Sequence, residues 1–376
     1  MKLIRNEKDI ENDENAFHPA YTHQLFGDSE NIFGYRNLRV NLYYTARALK
    51  LYLAIDFAEQ IDSKDADGVQ PDDVLAIIKE KLDLQPPLYT TNLDQFSKWL
   101  VKDEFFHPHG DKVHAFEEQE RSYEVYNVNA KMSAEFIQEH HEQMQHFLLW
   151  FIDGASYIDI EDDKWDYFTL YERQGERDYY FAGYATVYRY YAYPANTRPR
   201  ISQVLILPPF QRRNLGVQLL SAMYAHYRAQ SGVIDITVED PSDSFSQLRN
   251  FVDCLACSKL PAFSRKSLHE GWNKKMAEEA KEKLRINGRQ ARKVYEILKL
   301  KCVDTNNEEE YRNYRLEVKR RLSAPLMKNR KSTKFFGSKQ NADQTPREVI
   351  IEELTAVYGE LEKEYKSTIE RMNSVE

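Results

Sequence analysis

Residues 203–220 read QVLILPPFQRRNLGVQLL: an apolar run stops at two prolines, turns through QRRN and restarts as an apolar helix. Proline cannot donate to a β-ladder, so Pro208 and Pro209 end a strand. From Leu215 onward Val217, Leu220, Met223, Tyr224 and Tyr227 recur at helical spacing. A strand handed directly to a helix gathers the unpaired N–H groups of the first helical turn and the positive end of its dipole at one bend. That arrangement binds phosphate. Arg212 and Arg213 add charge suited to a pyrophosphate or a third phosphate, and Gly216 suits a close approach of backbone to ligand. An ordinary strand-to-helix connection with solvated arginines is the other reading of the same residues.

The flanking sequence extends the pattern. YFTLYE (167–172) and YYFAGYATVYRYYAYP (179–194) flank RQGERD as a hairpin turning at Gly175, and RISQVLIL (200–207) reads as a strand. A helix is predicted over 215–230 and a strand over VIDITVED (233–240), giving the order β-β-β-α-β. Residues 1–145 mix short apolar runs with loops such as DSKDADGVQPDD (62–73), and VNLYYTARALKLYLAIDF (40–57) reads as strand. Beyond Pro261 the texture turns helical and basic. Helices are predicted over 286–303 and 308–322, then a basic loop MKNRKSTKFFGSKQ (327–340). A last helix opens on a capping box at Thr345, Pro346 and Glu348. Three domains follow: a mixed α/β unit (1–145), a core (146–262) and a basic helical region (263–376).

Charge is uneven. Residues 1–250 carry 25 Lys and Arg against 40 Asp and Glu, a net −15; residues 251–376 carry 27 against 20, a net +7. An acidic, aromatic-rich front portion disfavours nucleic acid and attracts a basic ligand, although acidic surfaces also serve solubility. The amino terminus is charged where a signal peptide needs an apolar stretch, and the longest apolar run, FLLWFI (147–152), is too short to span a bilayer. With Cys254, Cys257 and Cys302 as its cysteines, the chain is expected to be intracellular and soluble. Cys254 and Cys257 have CxxC spacing without the second pair that zinc needs, and His107, His109 and His114 follow no ligand pattern, so no metal is expected. The stretch holding those histidines is read as a surface loop, and KNRKSTK (328–334) as an import signal or a solvated loop.

The turn itself resembles the acyl-CoA loop of the GNAT acetyltransferases, Q/R-x-x-G-x-G/A, with Gln211, Asn214 and Gly216 at its fixed positions. Asn214 replaces the usual Gly, and Asn tolerates a left-handed backbone better than most residues. The chain is further similar to the catalytic subunits of type B histone acetyltransferases. The similarity runs through HPAYTHQLFGDSENIFGY (18–35), LLWFIDGASYID (148–159), DDKWDYFTLYE (162–172), ATVYRYYAYPANTRPRISQVLILPPFQ (185–211), IDITVEDPSDSFSQLRNFVD (234–253) and ARKVYEIL (291–298). The resemblance implies an α/β (α+β) fold: a GNAT core with a mixed central sheet, an N-terminal α/β domain and a C-terminal helical domain. It implies acetyl-CoA as cosubstrate, paired with the main chain of Val204, Leu205 and Ile206 and held by Gln211, Arg212, Arg213, Asn214, Leu215, Gly216 and Val217. It also implies Glu239 as general base with Asp240 beside it. Asp153 falls where relatives have Glu, one methylene shorter in reach. Asp28, Ser29, Glu30, Trp165, Tyr188, Arg189 and Tyr190 align with positions lining a histone-tail groove.

The implied reaction is acetylation of lysines in the tail of newly made histone H4, with histone 2A a further candidate. The implied partner is a WD-repeat β-propeller, with no direct nucleic acid and no membrane, and the implied location is nucleus and cytoplasm. The chemistry is coherent by itself: a lysine amine of pKa about 10.4 must lose a proton before it attacks a thioester, and a carboxylate can take it. A backbone N–H of strand 200–207 would hold the thioester oxygen as charge develops. Two rivals remain: a non-catalytic histone escort with a degenerate core, and a GNAT enzyme for small amines, against which the long flanking domains argue.

Overall fold

The computed structural model describes residues 1–62, 68–129, 134–335 and 347–375. The chain falls into two compact units, Met1–Tyr191 with Pro199–His226, and Ala192–Arg198 with Tyr227–Glu376.

The first unit opens with a small mixed sheet. Lys2–Ile4 lies parallel to Arg39–Thr45, which pairs antiparallel with Leu51–Asp56, and Tyr89–Thr90 completes the sheet. The single strand read over 40–57 is thus two strands. Ala46–Lys50 turns between them with Leu49 at φ 61°, a bend that alternation alone does not announce. The helix Leu93–Asp103 buries Phe96 and Leu100 against Ile4.

The larger sheet runs in the order Asn196–Ile206, Asp178–Ala192, Trp165–Gln174, Arg121–Asn129 and Asp111–Glu118. Its last four strands pair antiparallel. Gly175, at φ 62°, makes the predicted hairpin turn. His114 lies in the edge strand, stacked on Phe116, and His109 packs against Phe106, Phe136 and His140, so this stretch is partly core rather than wholly surface loop. A helix covers the sheet, passing from a wide π-helical turn at Ile137–His141 into Glu142–Phe151. Tyr167, Tyr171, Phe181, Tyr184, Phe136 and Phe147 are buried around it, while Phe168 packs on His226. The helix after the proline turn is Leu215–Arg228.

In the second unit the strand predicted over 233–240 shrinks to Thr237–Val238. Thr197 forms a parallel bridge to Val233, and Ile236 bridges Ile286. Arg198 grips the buried Asp235 through Nε (2.5 Å) and Nη2 (3.1 Å). This explains why a charge occupies a strand-like pattern there. The rest is helical: Asp243–Cys257, Lys274–Leu284, Gly288–Cys302, Glu308–Phe335 and Arg347–Asn373. The KNRKSTK segment lies on the Glu308 helix, not in a loop, because the predicted helix continues thirteen residues past 322. Thr345 and Pro346 lie outside the described residues. The buried Glu296 accepts from Arg292, from Arg321 and from Tyr365, and so ties three of these helices together. Cys254 and Cys257 are buried, and burial pushes both thiols up, away from reactive thiolate. Among the described residues no helix is long and apolar enough to cross a membrane.

Candidate active site

The proline turn has the conformation its sequence requires. Pro208–Phe210 forms a single 3₁₀ turn closed by Phe210 N–H to Leu207 O at 2.9 Å, and the Phe210 ring is buried. Gln211 bends back and donates from Nε2 to Ile206 O at 2.9 Å, satisfying the last carbonyl of the strand. Arg212 and Asn214 both take positive φ, 62° and 59°. Asn214 therefore adopts the left-handed backbone that Gly holds in the usual loop. Its carbonyl accepts from Val217 and Gln218 as the helix begins. Val204 and Ile206 are half-buried between the fully packed Ile201 and Leu207.

The two arginines of the turn part company. Arg212 is exposed, whereas Arg213 lies over the Phe210 ring at 5.8 Å and directs Nη1 to the buried Glu172 at 3.7 Å. Asn214 Nδ2 donates to Glu118 at 3.3 Å, so the turn is moored to the hairpin Asp111–Asn129. Burial raises the Glu172 carboxyl, but Arg121, Gln174 and Arg5 outweigh it and hold the group below the usual range.

Next to the strand Val204–Ile206 the sheet carries a bulge at Gly183. A Cβ on Gly183 would sit 2.3 Å from Leu205 O, so only glycine lets the two strands approach there. An isolated glycine inside a strand pattern is the sequence signal for such a bulge, and FAGYATV carries it.

At the other end of the unit, the helix Glu142–Phe151 finishes with unsatisfied carbonyls, as all helices do. Gln24 Nε2 donates to Leu149 O (2.8 Å) and Ile152 O (3.0 Å), and the N–H groups of Ala20 and Tyr21 donate to Trp150 O. This staples segment 20–24 beside Asp153. His23 Nε2 then lies 3.1 Å from Asp153 Oδ1, and its Nδ1 3.7 Å from Glu30 Oε1. Glu30 follows a turn with Gly27 at φ 76°, itself at φ 50°, and exposes Asp28, Ser29 and Glu30 together. His23 was not singled out from sequence: a histidine a few residues before a Gly-Asp turn carries no signal until Asp153 is placed opposite it.

Trp165 and Tyr188, partners across the strand register, make an edge-to-face contact at 5.0 Å, and Tyr190 packs on Tyr188 at 4.6 Å. Tyr188 OH donates to Asp162 at 2.7 Å, which holds that carboxyl below its usual range. Arg189, on the opposite side of the strand, is bound to Asp166 (3.3 Å) and to the carbonyls of Asp163 and Lys164. Alternation puts Tyr188 and Tyr190 on one face and Arg189 on the other.

Glu239 and Asp240 belong to the second unit. They follow Thr237–Val238 and precede the helix Asp243–Cys257, which Ser242 caps by accepting from Phe245 N–H at 3.2 Å. Arg249 donates back to Ile236 O at 3.2 Å and pairs with Asp253, bracing the strand from the helix. Glu239 is half-buried, and Asp240 is exposed with φ 26°. No group of three or more His, Cys, Asp and Glu among the described residues is placed to hold a metal ion.

The strand ended by prolines, the left-handed Asn turn and the helix that follows lie within residues 113–246, which match the family model described as the acetyltransferase (GNAT) family, so the chain carries an acetyltransferase domain. The model described as the histone acetyl transferase HAT1 N-terminus matches residues 1–153, and the C-terminal model of the histone acetyltransferase type B catalytic subunit matches residues 249–300. The histone acetyltransferase type B catalytic subunits of Rattus norvegicus and Homo sapiens are each 40% identical over 388 aligned positions, covering 99% of this chain and 91% of theirs. A solved aminoglycoside acetyltransferase from a soil metagenome overlaps 37% of this chain and 88% of its own, at 16% identity and a TM-score of 0.26. The chain belongs to the family of type B histone acetyltransferase catalytic subunits.

Proposed function

We propose that this protein transfers the acetyl group of acetyl-CoA to lysine side chains in the amino-terminal tail of free, newly made histone H4. The observation that supports the reading is the turn at 207–215, where Asn214 takes a left-handed backbone open to glycine and Gln211 closes on Ile206 O. Bound acetyl-CoA supplies an activated acyl carbon and a thiolate leaving group. The turn and the first turn of the Leu215 helix would hold its pyrophosphate, and Val204–Ile206 would pair with its extended arm.

Glu239 takes a proton from the lysine ammonium. The freed nitrogen attacks the thioester carbon, the C–N bond forms as C–S breaks, and the second proton that the nitrogen sheds goes to the leaving sulfur, giving the amide and the CoA thiol. No covalent enzyme intermediate is required. Asp153 and Glu30, linked through His23, and the Trp165–Tyr188–Tyr190 face suit a Lys- and Arg-rich tail through ion pairing and cation–π contact. Arg189, already engaged by Asp166, supports the groove rather than touching the tail. A WD-repeat partner presenting the histone, and work in both nucleus and cytoplasm, complete the proposal.

The test is acetyl-CoA binding and transfer together. Thermal stabilisation by acetyl-CoA with acetylation of an H4 tail peptide, and poor transfer to small polyamines, is the expected result. Tight peptide binding without stabilisation by acetyl-CoA would overturn it in favour of an escort.

A further inference from the structure

Glu172 is fully buried, yet three arginines converge on it. Arg121 Nη1 lies 2.9 Å away, Arg5 Nη2 3.4 Å and Arg213 Nη1 3.7 Å. Gln174 Nε2 (2.6 Å) and Tyr123 OH (3.4 Å) donate to it as well. One guanidinium neutralises one carboxylate. The other two leave the cluster positive, and an arginine has five donors of which Glu172 takes few. The side chains of Arg5, Arg121 and Arg213 remain 33%, 45% and 26% exposed, although Nη1 of Arg213 is itself buried.

Neighbouring carboxylates are engaged elsewhere. Asp178 pairs with Arg47 at 2.9 Å, whereas Glu118 accepts from the Asn214 amide and Asp9 from the Arg5 backbone N–H at 2.8 Å, neutral donors that orient these two carboxylates and leave them charged. Arg5 also stacks over Tyr180 at 4.2 Å, which fixes its plane. The cluster begins in the cofactor turn itself, at Arg213, and extends away from it to the hairpin at Arg121 and the chain start at Arg5. A fixed fork of guanidinium donors matches the paired oxygens of a carboxylate or a phosphate, and of the two a phosphate dianion carries the greater charge to answer several arginines.

We propose that Arg5, Arg121 and Arg213, gathered on Glu172, form a second phosphate subsite beside the turn, which takes the 3′-phosphate of the CoA nucleotide. The inference rests on the acetyl-CoA reading above and names the part of that molecule the cluster recognises. The turn serves the pyrophosphate, and the arginine cluster serves the phosphomonoester on the ribose.

The experiment compares acetyl-CoA with 3′-dephospho-acetyl-CoA, by Kd and by KM, in the wild type and in Arg121→Gln and Arg5→Gln. Each variant leaves two arginines on Glu172, and a melt without ligand checks folding. The wild type should prefer acetyl-CoA by about 10- to 100-fold, the scale of a charge-assisted contact. Each variant should shrink that preference several-fold by weakening acetyl-CoA alone. Equal binding of both donors by the wild type overturns the proposal, as does a variant that weakens both donors alike, which would assign the cluster to the pyrophosphate or to the fold. If neither donor binds the wild type, the acetyl-CoA reading itself fails.

Discussion

His23 is the residue whose placement most changes the picture of the tail-binding side. It joins two carboxylates that sequence placed 123 positions apart, Glu30 and Asp153. Asp153 is 66% exposed, so without His23 nothing fixes its direction. Replacing His23 by Phe should raise KM for the tail peptide by a few-fold to about tenfold, the worth of one or two hydrogen bonds. It should leave KM for acetyl-CoA unchanged, and steady-state kinetics with each substrate varied separates the two. The motif residues Gln211, Asn214 and Gly216 were legible through the loop they resemble, and Asn214 takes the left-handed backbone that its residue type tolerates. His23 and Glu172 were not, since their meaning depends on which distant groups the fold sets beside them.

At the scale of elements, two features govern how well the catalytic core holds together. Gly183 allows the bulged strand Asp178–Ala192 to lie against Leu205 and Ile206. Gly183→Val would drive a side chain into a backbone carbonyl and should cost about 1–3 kcal/mol. The melt should fall, and KM for acetyl-CoA should rise because Val204–Ile206 must shift. The second feature is the π-turned helix, which buries His140, His141 and His146, all pushed down to about 3 chiefly by desolvation. Among the described residues neither ring nitrogen of His141 has a hydrogen-bond partner, and its ring packs on Phe136 and Tyr167.

A histidine that binds its proton less tightly when folded contributes stability present above about 6.5 and lost as pH falls toward 3. Asp103, raised to about 6 by burial, has the opposite sign: its contribution is present below the ordinary carboxyl range and is lost as pH rises through about 6. Three histidines outweigh one aspartate. Thermal stability should therefore fall steadily as pH drops below 6.5, and His141→Phe should flatten that slope. A slope unchanged in the variant would remove His141 from the account. Sequence marked only the end of this stretch, FLLWFI (147–152), as apolar; helical spacing does not report a π-turn, and burial of the histidines follows from the sheet they cover.

For the whole molecule, composition and periodicity respond to burial averaged over many residues, whereas the chain divides into two units that each join segments separated in sequence. The predicted strand 233–240 was mostly lost. Its alternation of Ile234, Ile236 and Val238 with polar partners satisfied a strand pattern, whereas the backbone settles for bridges at Val233 and Ile236 and a ladder of two residues. The helix from Glu308 ran on because the basic residues after 322 favour helix as much as loop. Glu239 was named by resemblance, and the structure shows it as a half-buried carboxylate directly after a short strand, ahead of a capped helix.

The measurement that tests the central claim most directly is the initial rate of acetyl transfer from acetyl-CoA to an H4 tail peptide, by wild type and by Glu239→Gln. The substitution keeps shape and removes the base. The account predicts that kcat falls at least ~10²-fold while KM for acetyl-CoA holds, the scale expected for loss of general-base catalysis. Equal rates in the two proteins would contradict it and move the proton acceptor to Asp240 or Asp153.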